Sequence, residues 1–129
     1  MTNDELRMTN GYAKDLKERT KQFAIEVIRF YAGLPKTQEF LVIGKQLIRS
    51  ASSVGANYRA ACRAKSRADF VAKLSIVEEE ADESVYWMEV LEGLGMGDNT
   101  TLRKLKGEAA QLVAIMVTSK KTARGTGQQ

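Results

Sequence analysis

The sequence contains no histidine. That absence removes the commonest general base and the commonest metal ligand. Ser-His-Asp and Cys-His catalysis are excluded. So is the Glu-x-x-His di-iron site that many four-helix bundles hold. Cysteine occurs once, as Cys62, so no internal disulfide can form. A lone thiol suits a reducing compartment. Proline also occurs once, as Pro35, which leaves little to interrupt long helices. The longest clean apolar run is "LVAIMV", Leu112 to Val117. It falls far short of the roughly 18 residues that mark a membrane span. The opening "MTNDELRM" has no apolar stretch of the signal-peptide kind. A cytoplasmic protein without a membrane partner is expected, and no motif calls for a cofactor.

What is present favours helix. Ala, Leu, Glu, Lys and Arg are abundant, and all are good helix formers. A chain of 129 residues suits one domain with a real core. Apolar residues recur with the three-four alternation of one helix face in four segments. The first runs from about Tyr12 to Ala32, with Leu16, Thr20, Phe23, Val27, Phe30 and Leu34 as its seam; Gly33 and Pro35 close it. The second starts at a Thr37 cap and carries Phe40, Gly44, Leu47, Ala51, Val54, Tyr58 and Ala61. Ser66, with Asp69 three residues on, resembles a capping box for the third. Its seam is Phe70, Leu74, Val77, Ala81, Ser84, Met88 and Leu91, and Gly93, Gly95 and Gly97 stop it. The fourth starts between Asp98 and Thr101 and uses Leu102, Leu105, Ala109, Leu112 and Met116. Short connections between rods of similar length predict an all-α fold, an antiparallel up-down-up-down four-helix bundle. The expected organisation is a tail over residues 1–9, the bundle over 10–122 and a disordered tail over 123–129.

Charge is blocked along the chain. Eight acids and no Lys or Arg lie between Glu78 and Asp98, and six bases against Glu108 alone follow Asp98. Blocks of this kind mean charged faces rather than a uniformly basic surface. The stretch "RSASSVGANYRAACRAKSRADF", Arg49 to Phe70, joins a run of small residues to a row of cations. Its small residues permit a close helix contact. Carboxylates on the third helix are available to Arg49, Ser53 and Asn57. A structural polar network of Arg49, Ser53, Asn57, Glu79, Glu80 and Glu83 is therefore expected, since a buried unpaired carboxylate is costly.

The segment "QLIRSASSVGANYRAACRAKSRADFVAKLSIVEEEADESVYWMEVL" resembles the four-helix bundle family that includes proteins encoded in intervening sequences of 23S rRNA genes. The matching positions include Gln46, Arg49, Ser53, Asn57, Ser66, Asp69, Phe70, Lys73, Glu79, Glu80, Glu83, Tyr86 and Trp87. The resemblance covers Phe23 to about Leu94. It implies an antiparallel bundle, a ring-shaped homopentamer and no catalytic activity. A related accessory protein of diversity-generating retroelements is a basic pentamer that binds nucleic acid and a reverse transcriptase. This implies RNA, DNA or a nucleic-acid-processing protein as partner. One departure stands out: members inserted in rRNA genes read Asn-Ile-Ala-Glu-Gly where this chain has Asn57-Tyr58-Arg59-Ala60-Ala61. The chain reads as a different branch.

Two readings of the cation row compete, and they can share residues. In one, Arg49, Arg59, Arg63, Lys65 and Arg67 contact phosphates, repeated around a ring. In the other, they meet acids of a neighbouring subunit, with Glu78, Asp82, Tyr86, Trp87 and Glu89 as interface candidates and Glu92 extending the acidic face. "VEEEADE" could hold magnesium or manganese through carboxylates alone. Without histidine or a substrate motif, a solvated or interface face is the stronger reading, and no metal is assigned. Cys62 beside Arg59, Arg63 and Lys65 could be a reactive thiol; a small residue in a helix contact is the plainer reading. Lys120, Lys121 and Arg124 could touch nucleic acid, but helix C-termini favour cations anyway.

Overall fold

The computed structural model describes the backbone of residues 3–125 and side chains from residue 14 to residue 125. Four helices follow one another: α1 (Asn3–Ala32), α2 (Gln38–Ala61), α3 (Arg67–Leu91) and α4 (Thr100–Gly125). No strand occurs among the described residues. Each helix packs on its neighbours in chain order, and α4 returns against α1, which makes a four-helix bundle. Side-chain pairs fix the antiparallel register. Thr20 of α1 lies against Gly55 of α2, and Tyr31 against Gly44. Arg49 meets Glu83, Glu92 meets Lys106, and Ser75 meets Lys120.

The apolar seams become the core. Leu16, Phe23 and Val27 of α1, Leu47 and Val54 of α2, Leu74, Val77 and Met88 of α3, and Leu102, Leu112 and Met116 of α4 are all buried. Each large apolar side chain so buried contributes on the order of 1.5–3 kcal/mol. Phe30, Phe40 and Phe70 are only half-buried and pack on the edge of that core. Thr20, the one polar member of the α1 seam, stays buried because its hydroxyl donates to the Leu16 carbonyl at 2.7 Å.

The ends differ from the sequence expectation in detail. α1 begins at Asn3, well before Tyr12, so residues 3–9 are helical rather than a tail. Glu5, Leu6, Arg7 and Met8 propagate a helix without an apolar seam to announce it. α4 continues to Gly125, past the expected limit at 122. The remaining tail positions, 1–2 and 126–129, lie outside the described residues. Thr37 stands at the N-cap of α2, but its side chain makes no capping hydrogen bond. α4 starts within the expected window, at Thr100, capped by Asn99, whose Oδ1 accepts from Leu102 N at 2.9 Å. After Leu91 the chain widens into a π-helical turn, Glu92–Met96, and reverses at Gly95. Gly95 has φ 106, a left-handed conformation that suits glycine.

Candidate nucleic-acid interface

The short α2–α3 turn is built from local bonds. The amides of Arg63 and Ala64 donate to the Ala60 and Ala61 carbonyls, each at 3.0 Å, and tighten the end of α2. Ser66 then restarts the helix, its Oγ accepting from Asp69 N at 3.0 Å. Asp69 reaches back past Ser66: its Oδ2 accepts from Lys65 N at 3.1 Å. This is a capping box displaced by one residue. Asp69 Oδ1 also takes Lys73 Nζ at 2.5 Å. The Lys73 hydrogen bond, seconded by the Lys65 amide, holds the Asp69 carboxyl below its ordinary range.

This turn leaves Arg59, Arg63, Lys65 and Arg67 exposed at one end of the bundle. Among the described residues none of the four has an ion-pair partner. Asp69, the acid within the same turn region, is already engaged by Lys73. Because α4 runs antiparallel to α3, its last turns arrive at the same end. Lys120 Nζ donates to Ser75 Oγ at 3.2 Å and lies 2.8 Å from Glu78 Oε1. The ammonium is not aligned for a hydrogen bond with that oxygen, so the contact is ionic only. Anchored there, α4 carries exposed Lys121 and Arg124 toward the α2–α3 turn. Helix C-termini favour cations for their own sake, yet only Arg59 and Arg124 belong to last turns. The bundle therefore gathers cations from two chain regions that are far apart in sequence.

Arg49 is not part of this cluster. It sits 10 residues before Arg59 on the same helix, about 15 Å away at 1.5 Å per residue. Its guanidinium lies 3.4 Å from Glu80 Oε2 and also contacts Glu83. Glu83 Oε2 in turn accepts from Trp87 Nε1 at 3.2 Å. Arg49, Glu80 and Glu83 thus form the centre of the expected polar network, and Trp87 joins it. Ser53, Asn57 and Glu79 do not. Asn57 Nδ2 donates to the Ser53 carbonyl one turn back, at 2.8 Å, because a short amide satisfies itself locally. Glu79 is exposed and has no partner among the described residues. The buried polar link is a different one: Ser50 Oγ and Ser84 Oγ are 2.9 Å apart. Its trace in the sequence is a serine within each of two facing small or apolar seams.

The acids of α3 and of the turn that follows it divide between two directions. Glu78 and Glu92 turn toward α4, where Lys120 and Lys106 meet them, each at 2.8 Å. The Glu92 hydrogen bond raises the Lys106 pKa above its ordinary value. Glu78 is thus committed within its own chain, unlike its place among the expected subunit contacts. Asp82 and Glu89 remain exposed. Tyr86 is 55% exposed, while Trp87 is half-buried; their rings meet edge to face at 4.9 Å between centroids. Among the described residues no group of three or more Cys, Asp or Glu is placed to hold a metal ion. No described helix is long and apolar enough to cross a membrane.

Comparison with known proteins agrees with this architecture. A crystal structure of a protein of unknown function from the S23 ribosomal protein family of Bacteroides thetaiotaomicron VPI-5482 superposes with a TM-score of 0.77. It is 31% identical, and the match covers 84% of this chain and 97% of that one. No curated protein matches the chain. The family model described as 23S rRNA-intervening sequence protein matches residues 14–118. With most of its length and the greater part of every helix inside that match, the chain belongs to the 23S rRNA-intervening sequence protein family.

Proposed function

We propose that this protein is a non-catalytic, homo-oligomeric binder of structured RNA or DNA, working in the cytoplasm through its basic end. The observation that carries the reading is the set of exposed cations without ion-pair partners among the described residues, Arg59, Arg63, Lys65 and Arg67, joined at one end by Lys121 and Arg124. Guanidinium groups make bidentate contacts to phosphate. Tyr58, beside Arg59, is 3% exposed and cannot serve as a stacking platform, and Phe70, one turn from Arg67, is half-buried against the core. Phosphate contact without base stacking favours a folded or duplex nucleic acid over an unstructured strand, with weak sequence preference. A ring of subunits, five by the family resemblance, would repeat the basic end and raise its effective affinity. The outer surfaces of α2 and α3, with Val42 50%, Ile76 42% and Tyr86 55% exposed, suit the subunit contact.

The test is a titration of the full chain against an RNA hairpin and a DNA duplex at several salt concentrations. A variant with Arg59, Arg63 and Arg67 changed to Glu is run beside it, after its oligomer mass is confirmed. The expected result is salt-sensitive binding that the variant loses. Each phosphate contact removed flattens the log–log salt slope by roughly 0.9 on duplex DNA. No binding at low salt would refute the proposal and leave a scaffold, its arginines serving subunit contacts.

A further inference from the structure

The opposite end of the bundle holds a feature that nucleic-acid binding does not use. The α1–α4 seam is the loosest between neighbouring helices. It is clasped midway, where Arg19 grips Glu108 at 2.8 and 2.7 Å and Gln111 at 2.7 Å. Beyond that clasp, α1 ends and the glycine-rich turn swings the chain into α4. A pocket of about 530 Å³ opens there. That volume lies within the roughly 300–1,000 Å³ range of small-molecule sites.

Its chemistry is two-sided. Phe30 and Met96, both half-buried, give it an apolar wall, with the core residues Leu34 and Leu105 at its floor. Arg29 and Lys104 supply two exposed cations, and neither has an ion-pair partner among the described residues. Glu26 is the one acid in the lining, so the local balance stays positive. The positive end of the α4 dipole falls at Thr100, next to Thr101 of the lining, and adds to that balance.

We propose that this pocket is a binding site for a small organic anion. The ligand has an aromatic or aliphatic body, seated on Phe30 and Met96. Its carboxylate or phosphate group is held by Arg29 and Lys104. The site is independent of the basic end, so its occupancy does not compete with nucleic acid for the same cations.

The test uses a fluorescent aryl sulfonate, 8-anilinonaphthalene-1-sulfonate, with the full chain in its native assembly. Saturation at one dye per chain is expected. Displacement by 2-naphthoate and 2-naphthyl phosphate is expected, but not by the neutral 2-naphthalenemethanol at equal concentration. Comparing the two anions identifies the preferred head group. The R29Q/K104Q variant is expected to weaken dye binding at least tenfold. Removing two charges elsewhere on α1, in K14Q/K17Q, is expected to leave it within twofold. Both variants alter exposed side chains, and circular dichroism confirms their fold. Non-saturating binding, equal displacement by the neutral alcohol, or equal weakening in both variants would overturn the proposal.

Discussion

Arg49 separates a structural cation from a binding one. It is 49% exposed, and its partners Glu80 and Glu83 are 20% and 36% exposed. Exposed ion pairs contribute about 0.2–1 kcal/mol each. Arg49→Ala removes two such contacts. It also leaves Glu80 and Glu83 one turn apart with no shared cation, a like-charge pair that costs a few tenths of a kcal/mol. Glu83 keeps its Trp87 partner. The expected total is about 1 kcal/mol. An unfolding entropy near 2.1 cal/mol/K per residue over 129 residues then converts this to a fall in Tm of about 4 °C. Thermal melts by circular dichroism at one protein concentration check the value, because self-association of any kind would make Tm depend on concentration. The difference should shrink in 1 M salt, where screening is strong. The salt slope of nucleic-acid binding should match that of the unaltered protein. A weakened slope with an unchanged Tm would refute this reasoning and make Arg49 a phosphate contact. An unchanged Tm with unchanged binding would show that the network contributes nothing to stability.

Two further outcomes test the packing. Ser50 Oγ and Ser84 Oγ each have a carbonyl of their own helix within reach, Leu47 O at 3.1 Å and Glu80 O at 3.0 Å. Either serine alone therefore stays satisfied, and S50A or S84A should cost about 1 kcal/mol or less in denaturant melts; a loss above 3 kcal/mol in either would contradict this hydrogen-bond assignment. Asp69→Asn tests the α3 cap through pH. The folded-state pKa of Asp69 is depressed, so its contribution is present above the ordinary value of 3.8 and is lost as pH falls through the folded-state value. The variant should melt below the unaltered protein at pH 7, and the two curves should converge in acid; a constant gap down to pH 2 would show that ionisation of Asp69 plays no part.

Much of the fold was legible because helices advertise themselves locally. The three-four spacing named nearly every buried position, from Leu16 to Met116. Ser66 and Asp69 announced the α2–α3 turn. The ends were less legible, since a helix of good formers such as Asn3 to Met8 needs no seam. The Arg49–Glu83 pairing could be anticipated from charge and burial. The division of the acids on α3 and the turn after it could not: Glu78 and Glu92 turn to Lys120 and Lys106 only because α4 packs on that side.

By itself the sequence determined a single all-α domain, its helix seams and the exclusion of histidine chemistry, because these depend on residue type and short spacing. The tertiary structure decided which charges are spent and which are free. Arg49 and Arg59 share one helix and one charge, but Glu80 and Glu83 lie opposite the first and no acid among the described residues pairs with the second. Lys121 and Arg124 join Arg63 and Arg67 only because the fourth helix returns antiparallel to the third. Pairing across helices is set by packing geometry, and no local pattern in the chain encodes it.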